Sequence, residues 1–449
     1  MKAFFAAALG LMLCLTAIAW AIRPSREHGG RTEIIWTTDP NPARTEQVGI
    51  FEGLFPSLKL TIDSNNNDQS KVIVQTTAGI GPDVIDIYSR NQLFTYVEAG
   101  LLADITGRCQ EAGTTPDICW DACRDMMVVD GRQYTFPTNG GPWLIFYNKT
   151  VFDRYRVPYP TGDWTWDQFV AVARRLTREN PDGIGYECYG CMGLDWLECI
   201  WQNGGDVYTD DLTRCILDAP EDIEAIQWLM DLQLKYHIAP SPAEEAAMAT
   251  SGGWGQGMVT LFAAGRVAMV RMGRWGLVSW RKPPAVQVGL CAPPYKRVKA
   301  TQYISRVSGL NAKSPYLDQA FDFIKFLASE PYCEQINRSA DNLAAVESYC
   351  YADEFLHNPE HPEEDYNDVL RQVTAYARNQ QVSPYVNPFV AERIINRYLD
   401  LMRNEVVTVE EGCRGAATEI NAAIETNTRK YPELGAKYEA ARSEGRAEQ

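Results

Sequence analysis

The chain has 449 residues, which is more than one hydrophobic core usually serves, so its length predicts at least two lobes. Apolar residues make up 45% of the sequence, enough to build hydrophobic cores, and charged residues make up 22%, as in ordinary globular proteins. The net charge of −16 argues against nucleic acid as a partner, because phosphates are bound mainly by clustered Lys and Arg.

The N-terminus carries an apolar run over residues 3–22, directly after Lys2. Small residues close the run in Ala17-Ile18-Ala19 and Ala19-Trp20-Ala21, a small-x-small pattern typical of a signal-peptidase site. We therefore predict that residues 1–21 are an export signal and that the mature chain begins between residues 20 and 23. The run is also about as long as a membrane span, so an uncleaved N-terminal anchor is the alternative. Either way, the remainder is expected in the periplasm or at the extracytoplasmic face.

Eleven cysteines follow this run. Because export favours disulfides and the number is odd, we predict at least three disulfides and at least one free thiol. A zinc site at the Cys188-x-x-Cys191 motif is the alternative, but no fourth ligand stands at a usual spacing, so neither a metal ion nor a cofactor is predicted. The expected disulfides are local, among Cys109, Cys119 and Cys123 and among Cys188, Cys191 and Cys199.

The first part of the chain alternates short apolar strands with helices. Strands are predicted over 33–37, 58–62 and 84–88, and helices follow them up to Phe55, over 68–78 and over 91–99. This order predicts a largely parallel sheet covered by helices. Ligands of such sheets bind beyond the carboxyl ends of the strands, where the loops 37–41 and 89–91 fall.

The second part begins where two strand-like runs flank Pro137–Pro142, which is how a chain would leave one lobe for another. Helices are predicted over 195–202, 222–235 and 258–264, and strands over 267–271 and 286–290. Beyond residue 309 the pattern predicts an almost wholly helical chain. Two helix starts have capping-box spacing, at Thr165 with Gln168 and at Thr408 with Glu411.

Five tryptophans stand beside Gly, Asn, Asp or Arg rather than in apolar runs. A carbohydrate site needs flat aromatic faces for the C–H faces of a sugar ring and polar side chains for its hydroxyl groups. Glycine lets the backbone approach such a ligand closely. For each tryptophan taken singly, a packed core position is the alternative. The five are Trp36, Trp143, Trp201, Trp254 and Trp275.

The order of these blocks resembles the family 1 extracellular solute-binding proteins, relatives of maltose-binding protein. The matching stretches cover most of residues 32–330 and include WTTDPN, TTAGIGPDVIDI, WQNGG and FAAGRVAMVRMGRW. The resemblance implies an α/β chain with the type II periplasmic-binding-protein fold, in which two α/β lobes are joined by a hinge and enclose a ligand cleft. It implies strand crossings near 140–145, 268–273 and 305–309. The implied lobes are 32–140 plus 272–306 and 145–270 plus 309–449.

The resemblance also implies a function. A monomer that is not an enzyme would capture a carbohydrate or polyol and deliver it to the permease subunits of an ABC-type importer. Ligand that touches both lobes would favour the closed state. Trp254 and Trp275 are expected to stack on the ligand, and Arg274 is expected to hydrogen-bond the hydroxyl groups at its rim. Matching the cleft loops residue by residue gives the expected contacts: Thr37, Asp39, Ser89, Asn139, Trp201, Asn203, Trp254, Gly273, Arg274 and Trp275, with Tyr303 and Arg306 as weaker candidates.

Two other functions stay open. A secreted carbohydrate-active enzyme would need two carboxylates facing each other across the cleft, for which the chain offers Asp39 and Asp86. Against it, the chain has four histidines, no zincin helix motif and no Gly-x-Ser-x-Gly elbow. A membrane-anchored sugar sensor would keep its N-terminal segment and act on a partner other than a permease.

Overall fold

A computed structural model describes residues 26–64, 69–248 and 257–447, together with positions 10, 12 and 14. Within these residues, no helix is both long and apolar enough to cross a membrane. The expected export signal at 1–21 lies outside the described residues apart from the three isolated positions. Its cleavage therefore stays a prediction.

The strands of the described residues form two large sheets and one small hairpin. In chain order they are β1 (Glu27–His28), β2 (Arg31–Thr37), β3 (Leu58–Asp63), β4 (Val84–Ile87), β5 (Val128–Val129), β6 (Arg132–Gln133), β7 (Thr135–Pro142), β8 (Leu144–Asn148), β9 (Arg178–Glu179), β10 (Tyr186–Met192), β11 (Val267–Met272), β12 (Val288–Cys291), β13 (Thr301–Leu310) and β14 (Ala377–Arg378).

Helices cover both sheets. They are α1 (Arg44–Leu54), α2 (Gln69–Thr77), α3 (Arg90–Glu98), α4 (Thr106–Ala112), α5 (Asp121–Arg124), α6 (Lys149–Tyr155), α7 (Trp166–Leu176), α8 (Trp196–Gln202), α9 (Pro220–Leu234), α10 (Pro242–Met248), α11 (Met258–Ala263), α12 (Leu277–Trp280), α13 (Leu317–Leu327), α14 (Glu330–Ser339), α15 (Asp353–Leu356), α16 (Asn367–Thr374), α17 (Pro388–Arg403), α18 (Val409–Lys430) and α19 (Pro432–Ala447). Short 3-10 turns lie at Pro116–Ile118, Arg274–Gly276 and Glu347–Cys350.

The first sheet is the mixed sheet of the first lobe. Strand β2 pairs in parallel with β3 and β4, while β13 pairs antiparallel with β4 and β7. All four residues of β4 are buried, as expected for a strand covered on both faces. Trp36 on β2 packs against Phe323 of α13, with ring centroids 4.9 Å apart, in the core beneath these helices.

The second sheet has the order β12-β8-β11-β10-β9 and belongs to the second lobe. Helix α7 covers it through the buried face of Trp166, Phe169, Ala173 and Leu176. The capping box predicted at Thr165 is confirmed, and so is the one at Thr408 that begins α18. These helices begin where predicted because the cap side chains satisfy backbone N–H groups that lack a partner in the first turn.

Within the described residues, the chain passes between the two lobes three times, twice from sheet to sheet and once from a strand to a helix. The passages are Trp143 between β7 and β8, residues 292–300 between β12 and β13, and residues 379–387 between β14 and α17. Two of the expected crossings are wrong. Residues 268–273 fall largely in β11, which pairs on both sides inside the second sheet, and residues 305–309 lie inside β13 of the first sheet.

The expected lobe boundaries need a matching correction. Strand β12 pairs with β8, so this part of 272–306 belongs to the second lobe rather than to the first. Helices α13 and α14 pack on the first lobe although they lie in the segment 309–449 assigned to the second. An amphipathic pattern shows that a helix has a buried face, but it does not show which sheet that face covers.

All twelve cysteines are among the described residues, and all are free thiols, in contrast to the expected disulfides. Cys188 and Cys191 lie three residues apart on β10, and side chains at odd spacing on a strand point to opposite faces. That geometry disfavours a disulfide between Cys188 and Cys191, one of the pairings that the sequence left open. The thiols are packed instead as small apolar side chains, and burial raises the pKa of Cys123 to about 11.

Candidate ligand-binding cleft

A cavity of about 380 Å³, here called the cleft cavity, lies where the two lobes meet the third crossing. The first lobe contributes Arg90 and Asp125, and the second contributes Trp201 and Asp206. Arg378 of β14 lines the cavity from the crossing. A solute in this cavity would therefore touch both lobes and the connection between them.

The first-lobe side of the cleft is formed where β4 gives way to α3. Ser89 is the N-cap of α3, and its side chain accepts a hydrogen bond from the backbone N–H of Gln92 at 3.2 Å. The helix start thereby fixes Arg90 at the cleft cavity. Asn91 reaches the other lobe, because its Nδ2 donates to Glu392 Oε2 on α17 at 3.2 Å.

A groove of about 880 Å³, here called the α17 groove, runs between Ser89 and the exposed face of α17. Residues three or four apart on a helix share a face, which is why one polar stripe of α17 lines the groove while its other face is buried in the core. The stripe carries two acidic and two basic side chains. It consists of Glu392, Arg393, Asn396, Arg397 and Asp400.

The second-lobe side is built around Trp201, near the end of α8. Its indole Nε1 donates to Asp206 Oδ1 at 3.2 Å, and the guanidinium of Arg378 lies 4.2 Å from its ring centroid. Arg378 Nη1 also donates to Asp206 Oδ2 at 3.3 Å. Burial lowers the pKa of the Arg378 guanidinium, and Asp206 opposes that change. Gly204 follows with φ at +85°, a conformation that favours glycine and turns the chain toward Asp206.

A third cavity of about 1110 Å³, here called the side cavity, adjoins the cleft cavity. The two share Trp201, Asp206, Asp210 and Arg378, which form the wall between them. The side cavity continues along the second lobe toward Tyr376 and the C-terminal helix α19. The cleft therefore has two compartments, with the Trp201 indole at their boundary.

A buried ion pair ties the second lobe to the first sheet. Arg271 Nε of β11 donates to Glu198 Oε2 of α8 at 2.6 Å. Glu198 Oε1 accepts from the Thr301 hydroxyl at 2.8 Å and from the backbone N–H of Gln302 at 2.7 Å, both at the start of β13. The Arg271 guanidinium also lies 4.0 Å over the ring of Trp143, the residue of the first crossing. Two of the three connections between the lobes meet at this pair.

The family comparison agrees with this two-lobed arrangement. The matching family model, described as bacterial extracellular solute-binding protein, covers residues 38–332. The chain belongs to this family.

Curated relatives of this solute-binding protein match over limited segments. An arabinooligosaccharide-binding protein of Halalkalibacterium halodurans is 29% identical over 118 residues, which is 26% of this chain and 25% of that protein. An uncharacterized lipoprotein of Streptomyces antibioticus is 23% identical over 308 residues, or 66% of this chain and 65% of that one. The matched segments thus span from a quarter to just under two thirds of these relatives' own lengths.

Solved structures match the whole architecture. A Listeria monocytogenes ABC substrate-binding protein in complex with cycloalternan superposes with a TM-score of 0.77 at 24% identity, covering 88% of this chain and 99% of that one. A Thermotoga lettingae solute-binding protein bound with α-D-tagatose gives 0.72 at 17% identity, covering 87% and 99%. A maltose-bound T. maritima protein gives 0.70 at 21% identity, covering 86% and 98%. The expected type II periplasmic-binding-protein fold is confirmed.

The expected ligand contacts fall into separate groups. Ser89 and Trp201 line the cavities. Asn203 is fully buried, and its Nδ2 donates to Glu221 O at 2.7 Å and to Glu224 Oε2 at 2.9 Å, so it fastens the loop to α9. Trp254 lies outside the described residues, so its stacking role stays a prediction.

Three expected contacts follow β11. The Trp275 ring stands edge-on to Trp143, with centroids 6.3 Å apart. Gly273 makes room for it, since a Cβ there would lie 2.6 Å from Trp275 Nε1. Arg274 is fully buried rather than at a ligand rim: its Nη1 donates to Asn342 O at 3.0 Å, and its guanidinium lies 5.1 Å over Phe355. Burial lowers the pKa of Arg274 to about 10.

The remaining expected contacts belong to a charge network in the first lobe. Asp39, which is partly exposed, pairs with Arg44 Nη2 at 3.0 Å and accepts a hydrogen bond from the Tyr88 hydroxyl at 3.1 Å. Arg44 also pairs with the buried Asp341. Burial raises the pKa of the Asp39 carboxyl, and Arg44 opposes that rise. Thr37, Asn139, Tyr303 and Arg306 are all buried around or below this network.

The cleft contains residues that the sequence reasoning missed. Arg90 and Asp206 directly follow expected blocks and could have been found from them. Arg378 could not, because β14 is two residues long and lies in a segment expected to be helical. Glu392 was missed for a different reason. It lies on a helix as expected, but nothing in the helical pattern marks the face that turns toward the other lobe.

One candidate cation site lies elsewhere among the described residues. Ligand atoms of His361, Glu363 and Glu364 lie within 4.8 Å of one another. However, Arg281 holds both carboxylate oxygens of Glu364 at 2.7 Å. An ion would have to displace that guanidinium, so this cluster is better explained as a salt-bridged surface turn.

Proposed function

We propose that this protein captures a carbohydrate or polyol outside the cytoplasmic membrane and delivers it to the permease subunits of an ABC-type importer. The observation that carries the proposal is the cleft cavity, which is lined by both lobes and by a crossing between them. A solute there would contact both lobes at once. Such a ligand stabilises the closed state alone and shifts the population toward it, which is the signal a permease needs.

The lining suits a neutral polyhydroxylated solute. Asp125, Asp206 and Asp210 can accept hydrogen bonds from hydroxyl groups, and Arg90 can donate to them. Trp201 supplies an aromatic surface. The solutes of three similar proteins, namely cycloalternan, α-D-tagatose and maltose, are all of this chemical class. The expected contacts that are buried here, Arg274 and Asn203 among them, would act by holding the cleft loops.

A glycosidase is a weaker explanation of the same cleft. Asp86 is buried in the first lobe, where it accepts hydrogen bonds from Trp36 Nε1 at 2.8 Å and from Ser308. Asp39 lies in the same lobe, so these two carboxylates do not face each other across the cleft as glycoside hydrolysis requires. We therefore propose a binding protein without catalysis. Export by cleavage of residues 1–21 and a monomeric state are part of the proposal.

The test is a thermal-shift screen of the purified exported protein with neutral sugars and polyols, followed by calorimetry on each hit. A solute at 100 times its dissociation constant stabilises the native state by about 2.7 kcal/mol, which gives a clear rise in melting temperature. Incubation with each hit and analysis of the products should show no turnover. Hydrolysis of an oligosaccharide hit would replace the proposal with the glycosidase.

A further inference from the structure

The side chain of Arg378 is part of the wall between the cleft cavity and the side cavity. Arg378 lies against the indole face of Trp201 at 4.2 Å and reaches Asp206 with a single nitrogen at 3.3 Å. A sugar ring stacked on that face would need the same space. The face is therefore closed to any solute while Arg378 stays in place, and Trp201 is only 1% exposed.

The backbone of Arg378 is fixed, whereas its side chain is held weakly. Strand β14 pairs with β13 through Arg378 and Gln302, and Gln302 is bound in turn by the Glu198–Arg271 ion pair. The side chain is 44% exposed, and among the described residues it makes one hydrogen bond, to Asp206, and one ring contact, with Trp201. Exposed cation–π contacts are weak. Asp210 lines both cavities, so it offers the Arg378 guanidinium a second carboxylate to pair with besides Asp206.

We propose that Arg378 is a displaceable gate on the Trp201 face, and that the solute which displaces it is a neutral oligosaccharide of at least two sugar units. This inference rests on the function proposed above and names the solute class for the same cleft. With the side chain turned away, the cavities of about 380 and 1110 Å³ become one groove with the indole as its floor. A monosaccharide fits in one compartment and leaves the gate closed.

The charge of the joined groove selects against anionic sugars. The residues lining the two cavities include six acidic and four basic side chains, so the lining carries a net negative charge. Like charges oppose the entry of a uronate or a sugar phosphate. Carboxylates accept hydrogen bonds from neutral hydroxyl groups equally well along the whole length of an oligosaccharide.

The test compares wild type with Arg378→Ala and uses Arg174→Ala as the matched control, since Arg174 makes a similar ring contact with Tyr236 at 4.4 Å and lines neither cavity. The probes are arabinotriose, xylotriose, maltotriose and cellotriose, their monosaccharides, and trigalacturonate. Wild type should bind one of the neutral trisaccharides at least tenfold tighter than its monosaccharide and should not bind trigalacturonate. Arg378→Ala should bind that trisaccharide about 2- to 5-fold tighter, the worth of an exposed cation–π contact. The monosaccharide affinity of Arg378→Ala should match that of wild type, and Arg174→Ala should match wild type for every probe.

A second readout follows the gate without any solute. Acrylamide quenching of tryptophan fluorescence should rise in Arg378→Ala, and the rise should vanish when Trp201→Phe is added. If quenching does not change, or if Arg378→Ala binds the trisaccharide tenfold more weakly, the gate is overturned. Wild type that binds monosaccharides but not trisaccharides keeps the proposed function and overturns the inference. Wild type that binds none of these sugars overturns the inference, and the proposed function is overturned as well if no solute of the thermal-shift screen binds, while quenching still decides whether Arg378 covers Trp201.

Discussion

The two lobes beside the cleft are built by different means. On the first lobe, Asp39 is held by the buried Arg44 and by Tyr88, and Arg44 is held in turn by Asp341. On the second lobe, the stripe of α17 is exposed and Arg378 rests on Trp201 through weak contacts. The first side is thus pre-organised by charges that cannot relax into water, whereas the second can rearrange. A binding protein needs both properties, because one side fixes the solute's position and the other adapts as the lobes close.

The largest effect is expected from breaking the first-lobe network. Arg44→Met removes the nearer guanidinium from the buried Asp341 carboxylate, which keeps only Arg306 at 3.6 Å. It also removes the nearer partner of Asp39, so the free energy of unfolding should fall by about 3–5 kcal/mol. Urea unfolding monitored by circular dichroism measures it. The control is Arg397→Met, whose partner Glu419 lies on the surface of the second lobe, and which should cost at most about 1 kcal/mol. Equal losses for the two variants would show that the sides are not built differently.

A steric change beside the hinge tests the second lobe. Gly273→Ala puts a Cβ where Trp275 Nε1 lies, so the indole must move and unfolding should become easier by about 1–3 kcal/mol. Gly107→Ala is the matched control, because the space around its Cβ is open and alanine is the better helix former there. Thermal melting and near-UV circular dichroism follow the two variants. A Gly273→Ala protein as stable as wild type would mean that Trp275 yields freely.

Two buried carboxyls give the lobes different pH responses. Burial raises the pKa of Asp222 in α9 to about 8 and that of Asp86 in β4 to about 7. The two differ in their partners, because Asp86 accepts a hydrogen bond from Trp36, whereas both carboxylate oxygens of Asp222 lack a partner among the described residues. A raised carboxyl pKa means that the folded state holds a proton which the unfolded state has released. The stability that each protonated carboxyl contributes to the folded state is fully present below about pH 4, and it declines as the pH rises toward 8.

Asp222→Asn should therefore flatten the fall in stability between pH 5 and pH 8. At pH 8 the variant should exceed wild type by about 1–3 kcal/mol, because it removes an unpartnered buried carboxyl. Urea midpoints at the two pH values measure the effect. Asp318→Asn, whose side chain pairs with Arg108 at the surface of the first lobe, is the control and should keep the wild-type slope. A slope unchanged in Asp222→Asn would contradict the assigned protonation.

The elements that carry local signals could be predicted from the sequence, and those fixed by distant contacts could not. Strand β4 and the capping box of α7 are encoded by short stretches of residues, and both occur where expected. The sheet that β12 joins is decided by its pairing with β8, a distant contact that no local sequence pattern encodes. Likewise Trp201 could be singled out from its glycine-rich context, but Arg378, 177 residues farther along, was brought to it only by folding.

The smallest effect is expected at two helix caps, Ser89, which lines the α17 groove, and Asn387, which begins the helix that forms its other wall. Ser89 caps α3, and Asn387 caps α17 by accepting from the backbone N–H groups of Phe389 and Val390. Replacing either cap with alanine should cost about 1 kcal/mol of unfolding free energy, and Ser89→Asn should restore it, because asparagine caps as well as serine. If Ser89 only caps its helix, Ser89→Asn also keeps the wild-type affinity for the solute. If its hydroxyl contacts the solute as expected from the sequence, stability returns while affinity stays low. Calorimetry of Ser89→Asn, together with its melting curve, separates these two roles of Ser89. If Asn387→Ala loses stability but keeps its affinity, the second lobe holds the solute through the face of α17 rather than through its N-cap.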